Sequence, residues 1–293
     1  MHTQQTNVLK LAHHGKRLIT SCARSRSHTT FVPTPHRHPP VPQTLHVCAL
    51  NADTPVTTVH ASHGHTYGRI FHSLLTRAMP HIAIQTTDFD VTSLAYPPDM
   101  RAFDALIISG SAHSAYDDAP WIRRLDTFIK HVYATHKHVR IFGSCFGHQI
   151  ICASLLDAPV EPHPLGWEIG VKHVDLTPAF RAAVGYAKET MRLQFIHRDH
   201  VVLNELPRGW MSVGSTQQCR VQGVFEASRV LTMQGHCEFD ARMCGETVRR
   251  YFGGVWGVDR MGQVVRGIEG EDDAGEVVGV VGGFLLGRGE DGG

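Results

Sequence analysis

The stretch Arg140-Ile-Phe-Gly-Ser-Cys-Phe-Gly-His-Gln149 constrains the fold of this chain more than any other. Val139 to Phe142 is a short apolar run that reads as a buried strand, and Ile150 to Leu156 continues as an apolar helix. Between them lie Gly143, Ser144, Cys145, Phe146 and Gly147, small residues on both sides of one thiol. A strand that turns sharply into a helix with a nucleophilic side chain at the apex is a nucleophile elbow, here in a thiol version. Glycines suit it because neighbouring backbone must come close to the apex residue. Cys145 then sits at a helix N-terminus, where the dipole and the free N–H groups attract negative charge. The next backbone N–H, that of Phe146, points where an oxyanion would form.

The pattern on either side fits an alternating α/β chain. Leu45 to Leu50, Ile82 to Thr87 and Ala105 to Ile108 read as strands. Tyr67 to Met79 puts Ile70, Phe71, Leu74 and Leu75 on one helical face. Trp121 to Ile129 carries a stripe of Trp121, Ile122, Leu125, Phe128 and Ile129. Such alternation predicts crossover units and a largely parallel sheet, with ligands at the carboxyl ends of its strands. Ser109-Gly110-Ser111 lies at such an end, so a second set of backbone N–H groups is expected beside the thiol.

After the elbow helix the pattern changes. Trp167–Leu176, Met191–His197, Met211–Ser215, Val221–Glu226 and Arg229–Gln234 predict strands of mixed direction, and Asp240 caps a helix running to Phe252. From Gly253 the chain is Gly-rich, with a weak helical pattern from Ala274 onward. The chain therefore divides into a disordered or targeting extension over 1–43, a domain over 44–252 and a Gly-rich tail over 253–293.

Composition excludes several classes. A formal net charge of +1 gives no electrostatic case for nucleic acid or a membrane surface. Val277 to Leu286 is the longest apolar run and is too short to span a bilayer. The seven cysteines include no C-x-x-C pair, which argues for a reducing, cytoplasmic location. Residues 1–52 hold no Asp or Glu but six Lys and Arg, so a mitochondrial address is the alternative. The histidines are scattered; His60, His63 and His65 read as a solvated loop, and neither a metal nor another cofactor is expected.

A cysteine nucleophile needs a base, and the base needs an orienting group. Two downstream segments offer a histidine with a carboxylate two residues on: His197-Arg198-Asp199 and His236-Cys237-Glu238. In extended backbone, residues i and i+2 point the same way, so either pair satisfies the requirement. Spacing alone does not choose.

Three blocks resemble the class I glutamine amidotransferases, and most of all their stand-alone members, plant γ-glutamyl peptidases among them. Phe142-Gly-Ser-Cys-Phe-Gly-His-Gln149 is similar to the nucleophile block, Gly235-His-Cys-Glu-Phe239 to the His-Pro-Glu-Phe block, and Ile107-Ile-Ser-Gly-Ser111 to the oxyanion loop. The resemblance runs from about Leu45 to Phe252. It implies a three-layer, flavodoxin-like α/β fold with a largely parallel sheet and a small mixed or antiparallel sheet. It also implies Cys145 as nucleophile, His236 as base and Glu238 as orienter, with N–H groups of Phe146 and of Gly110 or Ser111 as the oxyanion hole. Gln149, His197 and Asp199 would hold the substrate. The activity implied is hydrolysis of a γ-glutamyl amide through a thioester, on glutamine or on a γ-glutamyl peptide such as a glutathione conjugate. A separate synthetase or other ammonia acceptor would be the partner in the first case, and a catalytically inactive binding homologue is the remaining alternative.

Two positions depart from the family pattern. Cys237 replaces the usual Pro, which predicts a looser His–Glu geometry and a second thiol near the first. Ser111 replaces the usual second Gly, which is harmless only where φ is negative.

Overall fold

The computed structural model describes residues 43–287, so the extension expected over 1–43 lies outside it except for its last residue. β1 (Thr44–Asn51) leads through one helical turn, α1 (His60–His63), into α2 (Tyr67–Ala78). β2 (Ala83–Asp90), β3 (Ala105–Ile108), α3 (Pro120–Thr135), β4 (Arg140–Ser144) and α4 (Phe146–Leu156) follow. Next come β5 (Val160–Pro162), β6 (Glu168–Leu176), α5 (Pro178–Val184), β7 (Thr190–His197) and β8 (Asp199–Val201). β9 (Trp210–Ser212), β10 (Gly214–Ser215), β11 (Val224–Glu226) and β12 (Val230–Met233) complete the strands. The described chain ends in α6 (Ala241–Phe252), α7 (Val258–Ile268) and α8 (Ala274–Leu286).

The central sheet runs β2-β1-β3-β4-β12-β11-β9. Its first five strands are parallel, and β11 and β9 extend it antiparallel. The five parallel strands have the 2-1-3-4-5 order of flavodoxin-like sheets, as the resemblance implied. β10, β6 and β7 form a small antiparallel sheet beside it. The strand expected over Met211–Ser215 is two strands in two sheets, because the chain crosses from one to the other at Val213, whose N–H bonds Gly223 O at 2.9 Å.

Alternation along the strands sorts the core into two faces. Leu45, Val47, Ala105, Ile107 and Phe142 face one side with Phe71 and Leu75 of α2. Cys48, Leu50, Leu106, Ile108 and Ile141 face the other with Leu125 and Ile129 of α3 and Ile150 and Ile151 of α4. α4 is apolar on nearly every side because it is buried on nearly every side.

The segment after Phe252 corrects the expectation of a tail. α8 supplies Val277, Val278, Val281, Phe284 and Leu285 to the same core face as α2, and α7 buries Ile268 against the small sheet. Residues 253–287 therefore complete one of the three layers. Asp273, at the head of α8, accepts from Arg192 and Lys188 and fixes that helix to β7.

Candidate active site

The parallel strands end along one edge, and the predicted site residues gather there. β4 delivers Cys145, which adopts φ 51° and ψ −105°, a conformation that a non-glycine residue keeps only where its surroundings impose it. The surroundings here are close-packed backbone. A Cβ on Gly147 would stand 2.3 Å from Ile108 O, and one on Gly143 would stand 2.5 Å from Gly147 O. Glycine at both positions lets α4 start directly against β3 and β4. Phe146 opens α4, so its N–H is among those with no partner inside the helix.

β12 ends at Met233, and the chain runs on through His236 and Glu238, each only 3% exposed. His236 N–H bonds Gln194 O at 2.8 Å, tying this segment to β7. The two side chains share one direction: His236 Nδ1 lies 2.8 Å from Glu238 Oε1. Ser144 Oγ donates to the same carboxylate oxygen at 2.8 Å. The His236 ring stacks on Phe239, centroids 4.1 Å apart, and its Nε2 is buried with no hydrogen-bond partner among the described residues. Burial works against a charged imidazole here, but the charges of Glu238 and Cys145 outweigh it and hold His236 up to about 10.

Gly110 shows how tightly these groups meet. A Cβ there would lie 3.1 Å from His236 Cε1 and 3.6 Å from Cys145 Cβ. The loop carrying Gly110 and Ser111 is pinned: Ala52 N–H bonds Ser109 Oγ at 2.9 Å, and Ala112 N–H bonds Asp53 Oδ2 at 2.9 Å. Neither Gly110 nor Ser111 has positive φ, so serine is tolerated in place of the usual glycine.

Gln149, His197 and Asp199 form a second group. Gln149 Nε2 and His197 Nδ1 both approach the Asp199 carbonyl oxygen, at 3.0 and 2.9 Å. His197 Nε2 lies 2.9 Å from Glu168 Oε2. Both ring nitrogens of His197 thus face acceptors of the protein itself, which leaves neither turned to the thiol. His236 differs: its Nδ1 meets Glu238, and the side chain of Cys145 is its other neighbour. Asp199 keeps its carboxylate on the cavity, bonded to Ser114 and Tyr116.

Glu168 and Ser144 were not foreseen. Burial alone would raise Glu168, but hydrogen bonds from His197, Thr216 and Gln222 outweigh it and keep the carboxyl below its usual range. Its partners are far along the chain, His197 on the paired strand β7 and Thr216 and Gln222 in loops, so no local signal marks it. Ser144 did carry a signal, a hydroxyl ending an otherwise apolar strand.

The looser geometry expected from Cys237 does not appear. The His236–Glu238 contact is short, and Cys237, 2% exposed, belongs to the apolar core with Leu193, Phe195 and Met233 rather than to the cavity wall. His63, read as part of a solvated loop, lies in α1 with Nε2 2.8 Å from Asp240 Oδ2.

A cavity of about 440 Å³ opens over Cys145, bounded by the Gly110–Ser114 loop, Asp199, His236 and the end of α6. The fold and site together define a class: α/β proteins with a thiol on a strand-to-helix turn beside a His–carboxylate pair. The chain belongs to the class-I glutamine amidotransferase family, whose model matches residues 44–252. It is 33% identical over 212 residues to a glutamine amidotransferase-like protein of Schizosaccharomyces pombe, covering 70% of this chain and 83% of that one. It is 29% identical over 154 residues to gamma-glutamyl peptidase 2 of Arabidopsis thaliana, covering 52% of this chain and 60% of that one. A glutamine amidotransferase from Thermotoga maritima shares the fold at TM-score 0.61 and 16% identity, covering 84% of this chain and 99% of that one. Family membership and the relatives' names support hydrolase activity.

Proposed function

We propose that the chain hydrolyses γ-glutamyl amides with Cys145 as nucleophile, His236 as acid–base and Glu238 as the group that orients it. The reading rests above all on one observation: a thiol at a strained elbow beside a buried imidazole whose far nitrogen is held by a carboxylate at 2.8 Å. The thiolate attacks the γ-carbonyl carbon, and the N–H groups of Phe146 and of Gly110 or Ser111 receive the oxyanion. The C–N bond breaks as His236 gives its proton to the departing amine, leaving a γ-glutamyl thioester. Water then attacks the thioester, its proton passes to His236, and the C–S bond breaks to release glutamate.

Asp199 is suited to the substrate's α-ammonium group, with Gln149 and His197 bracing its backbone. Glutamine would release ammonia by the same steps. The name of the fission-yeast relative favours that second reading, in which a separate synthetase or other acceptor uses the ammonia. A cytoplasmic location goes with either, a mitochondrial one being the alternative; fractionation of cells expressing the tagged chain decides between them.

A diazoketone analogue of glutamine tests the central claim. Peptide mapping should find the adduct on Cys145, and label on any other cysteine, or on none, refutes the proposal. Cys145→Ala should lose all turnover of glutamine and γ-glutamyl peptides. His197→Ala should mainly raise KM; a fall in kcat as deep as that of His236→Ala would mean the base is misassigned.

A further inference from the structure

Part of the cavity wall is aromatic, and its support comes from beyond residue 252, outside the family match. Trp167 meets Phe252 edge to face, centroids 4.8 Å apart at 77°. Phe252 lies flat on Trp256, 4.0 Å apart at 8°, and the Arg260 guanidinium sits 4.2 Å over the Trp256 ring. α7, which carries Arg260, packs on β6 next to Trp167. The segment 253–268 therefore backs an aromatic panel that faces the thiol's own cavity.

The lining divides by chemistry. Ser111, Ser114, Gln149, Arg198 and Asp199 offer polar groups suited to an amino acid's charged end. Tyr67, Trp167, Phe239, Tyr251 and Phe252 offer chiefly ring surface. Trp167 is 38% and Tyr251 46% exposed, a large apolar area left at the mouth of a cavity. Ammonia as leaving group would use none of it. A volume of about 440 Å³ lies within the range of about 300–1,000 Å³ that holds ligands larger than a single amino acid.

We infer that the leaving-group side of this site takes an aromatic ring, so that the preferred substrates are γ-glutamyl amides whose departing amine carries one, and that Trp256 sets this preference by bracing Phe252. The inference rests on the γ-glutamyl reading above. Ring stacking of this kind is worth about tenfold in affinity.

The test compares γ-glutamyl-phenylalanine with γ-glutamyl-alanine, which differ by the phenyl group alone, on the full chain. Wild-type kcat/KM should favour the first about tenfold or more. Trp256→Ala should bring the ratio to within about twofold of unity, and Trp256→Phe should restore most of it. Trp167→Leu, on the exposed edge of the panel, should lower the ratio likewise, and it serves if Trp256→Ala does not fold. Binding to the Cys145→Ala protein, read by calorimetry, should show the same preference. Equal Kd values there overturn the inference, whether or not the wild type turns over. So does a preference that both the Trp256 and the Trp167 variants retain. Preferential binding with no turnover of either peptide or of glutamine would support this inference and overturn the hydrolase reading alone.

Discussion

Replacing Gly147 by alanine probes the link between the seat of α4 and catalysis. The new Cβ would lie 2.3 Å from Ile108 O and 3.0 Å from Ile108 C, and both obstacles are backbone that cannot rotate aside. Since carbon side chains do not sit closer than 3.0 Å to such atoms, helix and strand must part by at least about 0.7 Å. Ile108 runs directly into the Ser109–Ser111 loop, and Gly147 follows Phe146. The displacement therefore separates the two proposed halves of the oxyanion hole and tilts Cys145 away from His236. A misplacement approaching 1 Å costs about a hundredfold in rate, and overpacking costs about 1–3 kcal/mol in stability. Gly147→Ala should then fold with a Tm a few degrees lower and hydrolyse a γ-glutamyl peptide about a hundredfold more slowly, mostly in kcat. Thermal melting and steady-state kinetics measure the two effects. A variant that melts lower yet keeps kcat within about threefold of wild type would refute the claim that this contact aligns the site.

Glu238→Gln should lower the alkaline limit of kcat/KM. In the folded protein His236 is held above its ordinary 6.5, up to about 10, so the stabilisation of its charged form is complete below pH 6.5 and is lost as pH rises through 10. Removing the Glu238 charge should move both the activity limb and the alkaline loss of Tm to lower pH, and a limb that stays in place would mean the carboxylate does not hold the imidazole's proton. Phe284→Ala tests whether α8 belongs to the core: Phe284 is 6% exposed and meets Phe225 edge to face at 5.9 Å, so about 3–5 kcal/mol should be lost in a single urea transition. Two separate transitions would show that α8 folds on its own.

Sequence patterning disclosed the elements whose residues repeat with a clear period. β1, α2, β3, α3 and β4 fall where apolar alternation or a helical stripe put them, within a residue or two at most ends other than the C-terminus of α3, because each buries one face against the central sheet. α8 was legible only as a weak pattern. Gly275, Gly279, Gly282 and Gly283 each lower helix propensity, yet Val277, Val281 and Phe284 bury enough apolar surface against α2 and the sheet to override them. The Glu168–His197 contact joins residues 29 apart through the register of β6 and β7, and nothing in either local segment announces it. What local sequence cannot carry is pairing that only the sheet creates.

Position 237 shows the opposite case, a feature that patterning already contained. His236 and Glu238 point one way because extended residues two apart share a face, and the same rule turns the residue between them to the other face. The thiol of Cys237 accordingly enters the core, where burial pushes it well above its ordinary pKa and the Glu238 charge adds to the effect. Loss of the usual proline removes a constraint on φ, but the His236 N–H bond to Gln194 O and the two bonds on Glu238 Oε1 supply constraints of their own. The residue between His236 and Glu238 thus answers to the apolar core that also holds Leu193 and Phe195, while the alignment of the pair answers to β7 and to Ser144.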